Sequence, residues 1–162
     1  MRLPEPYHGT VRSEWIDHNG HMNLAYYVLA FDLATADFFD VFGMNPAYRE
    51  ATGCSTFSGE VHVYYKRELR QGEAFTVTST LLGFDEKRIR FMNQMYRADD
   101  GSDVALMESI SLHVDLTARR VCPMHAPLTD GLAAIQANQA PFDLPPEIGR
   151  TIEKPPLHTK PT

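Results

Sequence analysis

The feature that most restricts this chain is a junction. The glycine-broken polar stretch Trp15-Ile16-Asp17-His18-Asn19-Gly20-His21-Met22-Asn23 runs straight into one long apolar segment that ends at Gly43. Inside that segment Leu24, Tyr27, Phe31, Ala34, Phe38 and Val41 recur at steps of three and four, which places them on one stripe of a helix. Asp32, Thr35, Asp37 and Asp40 fall on the other side, and Leu29, Ala30, Leu33 and Phe39 widen the apolar surface, as in a helix wrapped by other structure. Asn23 is a good N-cap and Gly43 suits the residue past the C-terminus. The rest of the fold has to be arranged around this helix.

The remaining chain changes period. Tyr7 to Trp15 alternates loosely and predicts a strand, while Met44 to Gly53 predicts a connection with room for one helical turn. From Phe57 the pattern has period two, with Phe57, Val61, Val63 and Tyr65 on one face and Ser58, Glu60, His62 and Tyr64 on the other. Strands follow at Phe75 to Leu82, Arg88 to Tyr96 and Val104 to Asp115, separated by turns at Gln71 to Glu73, Gly83 to Glu86 and Asp99 to Gly101. The last strand has an apolar face of Val104, Leu106, Ile110, Leu112 and Val114, interrupted by Glu108. A carboxylate on a buried face is costly unless paired, so Glu108 either meets an open site or is hydrogen-bonded. Pro127 to Ala140 predicts a short helix with Leu128, Leu132 and Ile135 inward.

These elements predict an α+β fold, an antiparallel sheet of about five strands on one long central helix, as a single domain over 1–140. The proline-rich tail 141–162 would lie on the surface or on a partner subunit. One helix on one sheet leaves a helix side and a sheet edge uncovered, which predicts a homodimer or a dimer of dimers. The formal charge of −6 argues against general nucleic-acid binding, and no apolar run reaches membrane-spanning length. The N-terminus lacks the apolar stretch of a secretory signal, which predicts a cytoplasmic protein. Cys54 and Cys122 would then be reduced thiols, and neither has CxxC spacing.

Asp17, His18 and His21 are the groups before the helix that can move protons or bind charge. A carboxylate there is held ionised by the partial positive charge of the helix N-terminus, where a carbonyl oxygen would also be polarised. The simpler alternative is a turn at Asn19-Gly20 with Asp17 as an extra cap. A metal held by His18, His21 and Asp17 lacks a clear further ligand, so no metal or cofactor is expected. Trp15, Tyr26 and Tyr27 flank the loop, and their faces suit a quaternary ammonium group or simply pack the core.

The run Asp17-His18-Asn19-Gly20-His21-Met22-Asn23-Leu24-Ala25-Tyr26-Tyr27 resembles the D-x-N-G-H-(V/M)-N-x-x-Y signature of hotdog-fold acyl-CoA thioesterases of the 4-hydroxybenzoyl-CoA thioesterase type. The strands from Val61 to Asp115 resemble that fold too, so the likeness covers roughly residues 7 to 120. With Trp15 and Met22 the loop looks most like that of betainyl-CoA thioesterases of carnitine breakdown. The resemblance implies hydrolysis of a short acyl-CoA. Asp17 would be nucleophile or general base, and Asn19 and His21 would hold the loop and orient water or substrate. Trp15, Asn23, Tyr26, Tyr27 and Glu108 are the candidate substrate-binding residues. Of the basic clusters Lys66-Arg67-Arg70, Lys87-Arg88-Arg90 and Arg119-Arg120, Lys87 and Arg88 are favoured for the CoA phosphates. A hydratase or dehydratase on the same fold and a non-catalytic CoA-binding protein are the alternatives. A second family type uses a glutamate on the helix, where this chain has Asp32 and Asp37.

Overall fold

The computed structural model describes residues 3–152. Strand β1 (Tyr7–Thr10) leads through a 3₁₀ turn (Ser13–Trp15) into helix α1 (Leu24–Val41), followed by α2 (Pro46–Thr52). Strands β2 (Cys54–Tyr65), β3 (Ala74–Phe84), β4 (Arg88–Arg97), β5 (Asp103–Asp115) and the short β6 (Arg120–Val121) precede α3 (Ala126–Asn138). The strands form one antiparallel sheet in the order β1-β3-β4-β5-β2, with β6 also beside β5. This is the hotdog arrangement, a sheet curled around a central helix.

Both ends of α1 are fixed as the sequence predicts. The Asn23 side chain accepts from the Ala25 N–H at 3.0 Å, and Gly43 takes a positive φ just past the last turn. Tyr27, Ala30, Phe31, Ala34, Phe38 and Phe39 are buried against the sheet. Leu24, assigned to the inner stripe, is 62% exposed, and Val28, Leu29 and Leu33 are also exposed. One side of the helix is therefore open. Glycine at position 131 lets α3 approach the end of α1, because a Cβ there would meet the Phe42 carbonyl oxygen at 2.6 Å.

Three expectations need correction. The first strand stops at Thr10: Val11 donates to Glu73, and the Trp15 N–H turns back onto the Arg12 carbonyl, closing a 3₁₀ turn where a longer strand was expected. The pairing of β2 with β5 shifts between Ser58 and Glu60, so Phe57 and Val61 point to opposite faces rather than one. The β5 faces are also exchanged. Met107 packs in the helix-facing core, and Ser109, Ser111 and His113 share its alternation and are buried. Polar residues are accommodated on that side by hydrogen bonds: the Asn93 amide donates to the Thr35 hydroxyl at 2.8 Å and the Phe31 carbonyl at 3.3 Å, and the Ser79 hydroxyl donates to Asn93 at 2.7 Å.

The outer face, with Leu106 and Glu108, carries the segment after α3. The Gly149 N–H donates to Glu108 Oε2 at 2.7 Å, and Glu147 pairs with Lys66 at 2.9 Å. The tail from 153 onward lies outside the described residues. No described helix is long and apolar enough to cross a membrane.

Candidate active site

The loop before α1 is shaped by its backbone. Ile16 bridges Met22, the Asp17 N–H donates to the His21 carbonyl at 3.1 Å, and the Gly20 N–H returns to the Asp17 carbonyl at 3.0 Å. Gly20 closes this turn at φ +79°, a conformation that side chains with a Cβ rarely adopt. The Asn23 N–H donates to Trp15 at 2.9 Å and the Met22 N–H to the Leu69 carbonyl at 2.7 Å, which ties the loop to the segment between β2 and β3.

Asp17 sits at the head of this turn. The Asn19 N–H donates to its Oδ1 at 2.8 Å and, with the fields of His21 and His18, holds the carboxyl below the ordinary aspartate range against a small desolvation penalty. A carboxylate is thus presented near the protein surface, with no ion pair to a lysine or arginine among the described residues. His21 donates from Nδ1 to the Met22 carbonyl at 3.2 Å, which leaves Nε2 as the acceptor of the neutral ring. Asn19 acts through its backbone, and Asn23 spends its side chain on the helix cap.

His21 opens onto a groove of about 290 Å³ lined also by Leu24, Tyr27, Tyr65, Lys66, Arg67 and Glu68. Tyr27 is buried, accepting from the Leu69 N–H at 3.0 Å and meeting Tyr65 edge-on at a centroid distance of 5.4 Å. Tyr65, 48% exposed, gives the groove its open aromatic surface. Tyr65, Lys66, Arg67 and Glu68 were not selected as site residues from sequence. The available signal was position, since these residues directly follow the strand that ends beside α1.

The structure does not bring every expected residue together. Trp15 is buried, stacked on Tyr26 at 5.4 Å and covered by the Arg12 guanidinium at 5.4 Å, so its ring is occupied within the chain and lines no part of this groove. Glu108 is paired with Arg90 on the outer face of the sheet, away from α1, because its alternation in β5 is opposite to that of Met107. Lys87 and Arg88 lie at the β3–β4 turn, where Arg88 Nε donates to Asp85 at 2.7 Å and Lys87 pairs with Glu86 at 3.0 Å. Arg97, at the other end of β4, donates to the Glu68 carbonyl beside the groove at 2.9 Å. Nine steps of at most about 3.3 Å each lead from Arg88 to Arg97, so in one chain Lys87 and Arg88 stand at the opposite end of the sheet from the groove. Asp32 and Asp37 line a separate polar cavity of about 430 Å³ with Thr35, Ser58 and Ser111.

An ionised carboxylate in a glycine turn, set ahead of the central helix of a hotdog fold, is an arrangement that can activate water or attack a carbonyl. Residues 11–148 match the thioesterase-like superfamily, and the chain belongs to that family. It is 32% identical over 151 residues to a betainyl-CoA thioesterase of Pseudomonas aeruginosa, covering 93% of this chain and 95% of that protein. It is 34% identical to an L-carnitine dehydrogenase/betainyl-CoA thioesterase of Rhizobium meliloti over 88% of this chain, which spans 28% of that longer protein. A hypothetical protein of Staphylococcus aureus solved in complex with CoA superposes with a TM-score of 0.88 at 27% identity, covering 96% of this chain and 99% of that one.

Proposed function

We propose that this thioesterase hydrolyses a short acyl-CoA to the free acid and CoA, with betainyl-CoA as its preferred substrate. The observation that carries the chemistry is Asp17, a carboxylate kept ionised by the Asn19 N–H in the turn whose His21 lines the groove, which in this reading takes the acyl group. It attacks the thioester carbonyl or draws a proton from the attacking water, while the first turn of α1 polarises the carbonyl oxygen. His21 orients water or substrate. The hydratase alternative would use the Asp17–His21 pair to move protons at carbon and would release no thiol.

In this reading the trimethylammonium of betainyl-CoA lies against Tyr65 rather than Trp15, whose ring is already covered, or Glu68, whose carboxylate is paired with Arg70. Such an aromatic contact contributes roughly 1 to 2 kcal/mol when desolvated. Thiol release from betainyl-CoA and from its neutral isostere 3,3-dimethylbutyryl-CoA tests this. The expected kcat/KM ratio is roughly tenfold or more, since 1.4 kcal/mol is one decade. Equal values would overturn the betainyl assignment and leave general thioester hydrolysis.

The working unit is a homodimer, or a dimer of such dimers. Leu24, Val28, Leu29 and Leu33 are exposed along α1 beside Val61 of the edge strand β2. Pairing two β2 edges antiparallel covers them and reverses the second sheet end for end. Lys87 and Arg88 of a second copy then come to the Asp17 end of the first, where they meet the CoA phosphates. Sedimentation at micromolar concentration should give at least twice the chain mass, and a monomer would remove this arrangement.

A further inference from the structure

Far from Asp17, side chains that are widely spaced in sequence converge. Cys54 opens β2, His113 lies near the end of β5, Cys122 follows β6, and His125 precedes α3. Cys54 Sγ, Cys122 Sγ and a ring nitrogen of His113 all lie within 4.8 Å of one another. We infer that these three residues, with His125 as the fourth ligand, form a structural zinc site.

The spacing fits a tetrahedral ion. Zn–S bonds of about 2.3 Å and Zn–N bonds of about 2.0 Å require S···S edges of about 3.8 Å and S···N edges of about 3.5 Å. The two sulfurs are 4.0 Å apart, Cys122 Sγ is 3.3 Å from His113 Nδ1, and Cys54 Sγ is 4.0 Å from His125 Nε2. These three edges lie within about half an ångström of the requirement, and His125, which stands farther from the rest of the group, completes the set by rotating its side chain inward.

The surroundings also fit. His113 Nε2 stands 2.9 Å from the Tyr48 hydroxyl, so with Nδ1 on the metal the Nε2–H donates to Tyr48 and fixes the ring. Without metal, Nδ1–H donates to the Cys122 carbonyl at 3.0 Å. Loading moves that proton to Nε2 and releases the two thiol protons to solvent. A disulfide is the rival use of the same cysteines. It would have to close the sulfurs from 4.0 Å to about 2.05 Å and would make no use of the His125 Nε2 that stands 4.0 Å from Cys54 Sγ. Two thiols with two imidazoles are the donor set of a closed zinc centre, which here would tie β2, β5 and the entry to α3 together.

Elemental mass spectrometry on full-length protein purified without chelator should find near-stoichiometric zinc. Exchange with cobalt(II) should give the intense visible bands of tetrahedral coordination and a thiolate-to-metal band in the near ultraviolet. Cys122→Ser, at a half-exposed position, and His125→Ala should each lower the zinc content. Chelation should lower the Tm of the wild type by roughly 5 °C or more but leave Cys122→Ser unmoved. Protein that carries no zinc and takes up cobalt without these bands would overturn the site. So would an intact mass two hydrogens light, the mark of a Cys54–Cys122 disulfide.

Discussion

At one end of the sheet the Asp17 carboxylate is held by the Asn19 backbone N–H in an exposed glycine turn. At the other, Cys54 and Cys122 gather against the buried His113, which is held by the Cys122 carbonyl and the Tyr48 hydroxyl. The first arrangement fixes a charged group while leaving it open to solvent. The second turns its polar atoms toward one another and away from water. A reacting group must stay accessible and ionised, whereas a structural cluster gains by internal saturation. The two ends should therefore respond to substitution in opposite ways.

The largest effect is expected at Asp17. Asp17→Asn should keep the Tm and lower kcat by roughly 100-fold or more, as for loss of a base or nucleophile. Asp32→Asn and Asp37→Asn should stay within about threefold of the wild type, because those acids line the other cavity. A loss at Asp32 as large as that at Asp17 would move the chemistry to the helix. His21→Ala should cost less, roughly tenfold in kcat, since its task is orientation. Losses equal to those of Asp17→Asn would mean that the two act as one unit.

Smaller effects sharpen the reading of the groove. Lys87→Ala combined with Arg88→Ala should raise KM for acyl-CoA several-fold with kcat nearly unchanged, and should spare a thioester of N-acetylcysteamine, which lacks the nucleotide phosphates. The same change in both substrates would point to a folding effect at the β3–β4 turn. Smallest is Tyr65→Leu, which should lower the preference for betainyl-CoA over its neutral isostere by a few-fold while leaving turnover of the isostere intact. An unchanged preference would remove Tyr65 from recognition.

The loop before α1 was legible because its information is local. Asp17, Gly20 and the Asn23 cap do their work within a few residues, as their hydrogen bonds show. The order of elements was legible too, through the change of period after Gly53. Face assignments failed where long-range pairing decided them. One inserted residue near Gly59 separates Phe57 from Val61, and the serines of β5 look solvent-facing in sequence because their surroundings come from α1 and β4. Trp15 illustrates the same point. Its neighbourhood to Asp17 in sequence suggested a ligand cage, but Arg12 and Tyr26 already cover its ring. The cysteines and histidines at the far end, 54, 113, 122 and 125, carry no spacing motif and meet only through the sheet and the start of α3.

The central claim is that an Asp17 carboxylate, already ionised, carries the reaction. It is tested most directly by single-turnover thiol release after rapid pH jumps. The Asn19 N–H lowers the folded pKa of Asp17 below the ordinary 3.8, so the active form is present at higher pH and is lost only as pH falls through that lowered value. The rate should therefore hold steady through the histidine range and fall only in strong acid, and Asp17→Asn should show no such fall. A wild-type rate that rises with a midpoint between about pH 6 and 7 would give the role to a histidine and contradict the account.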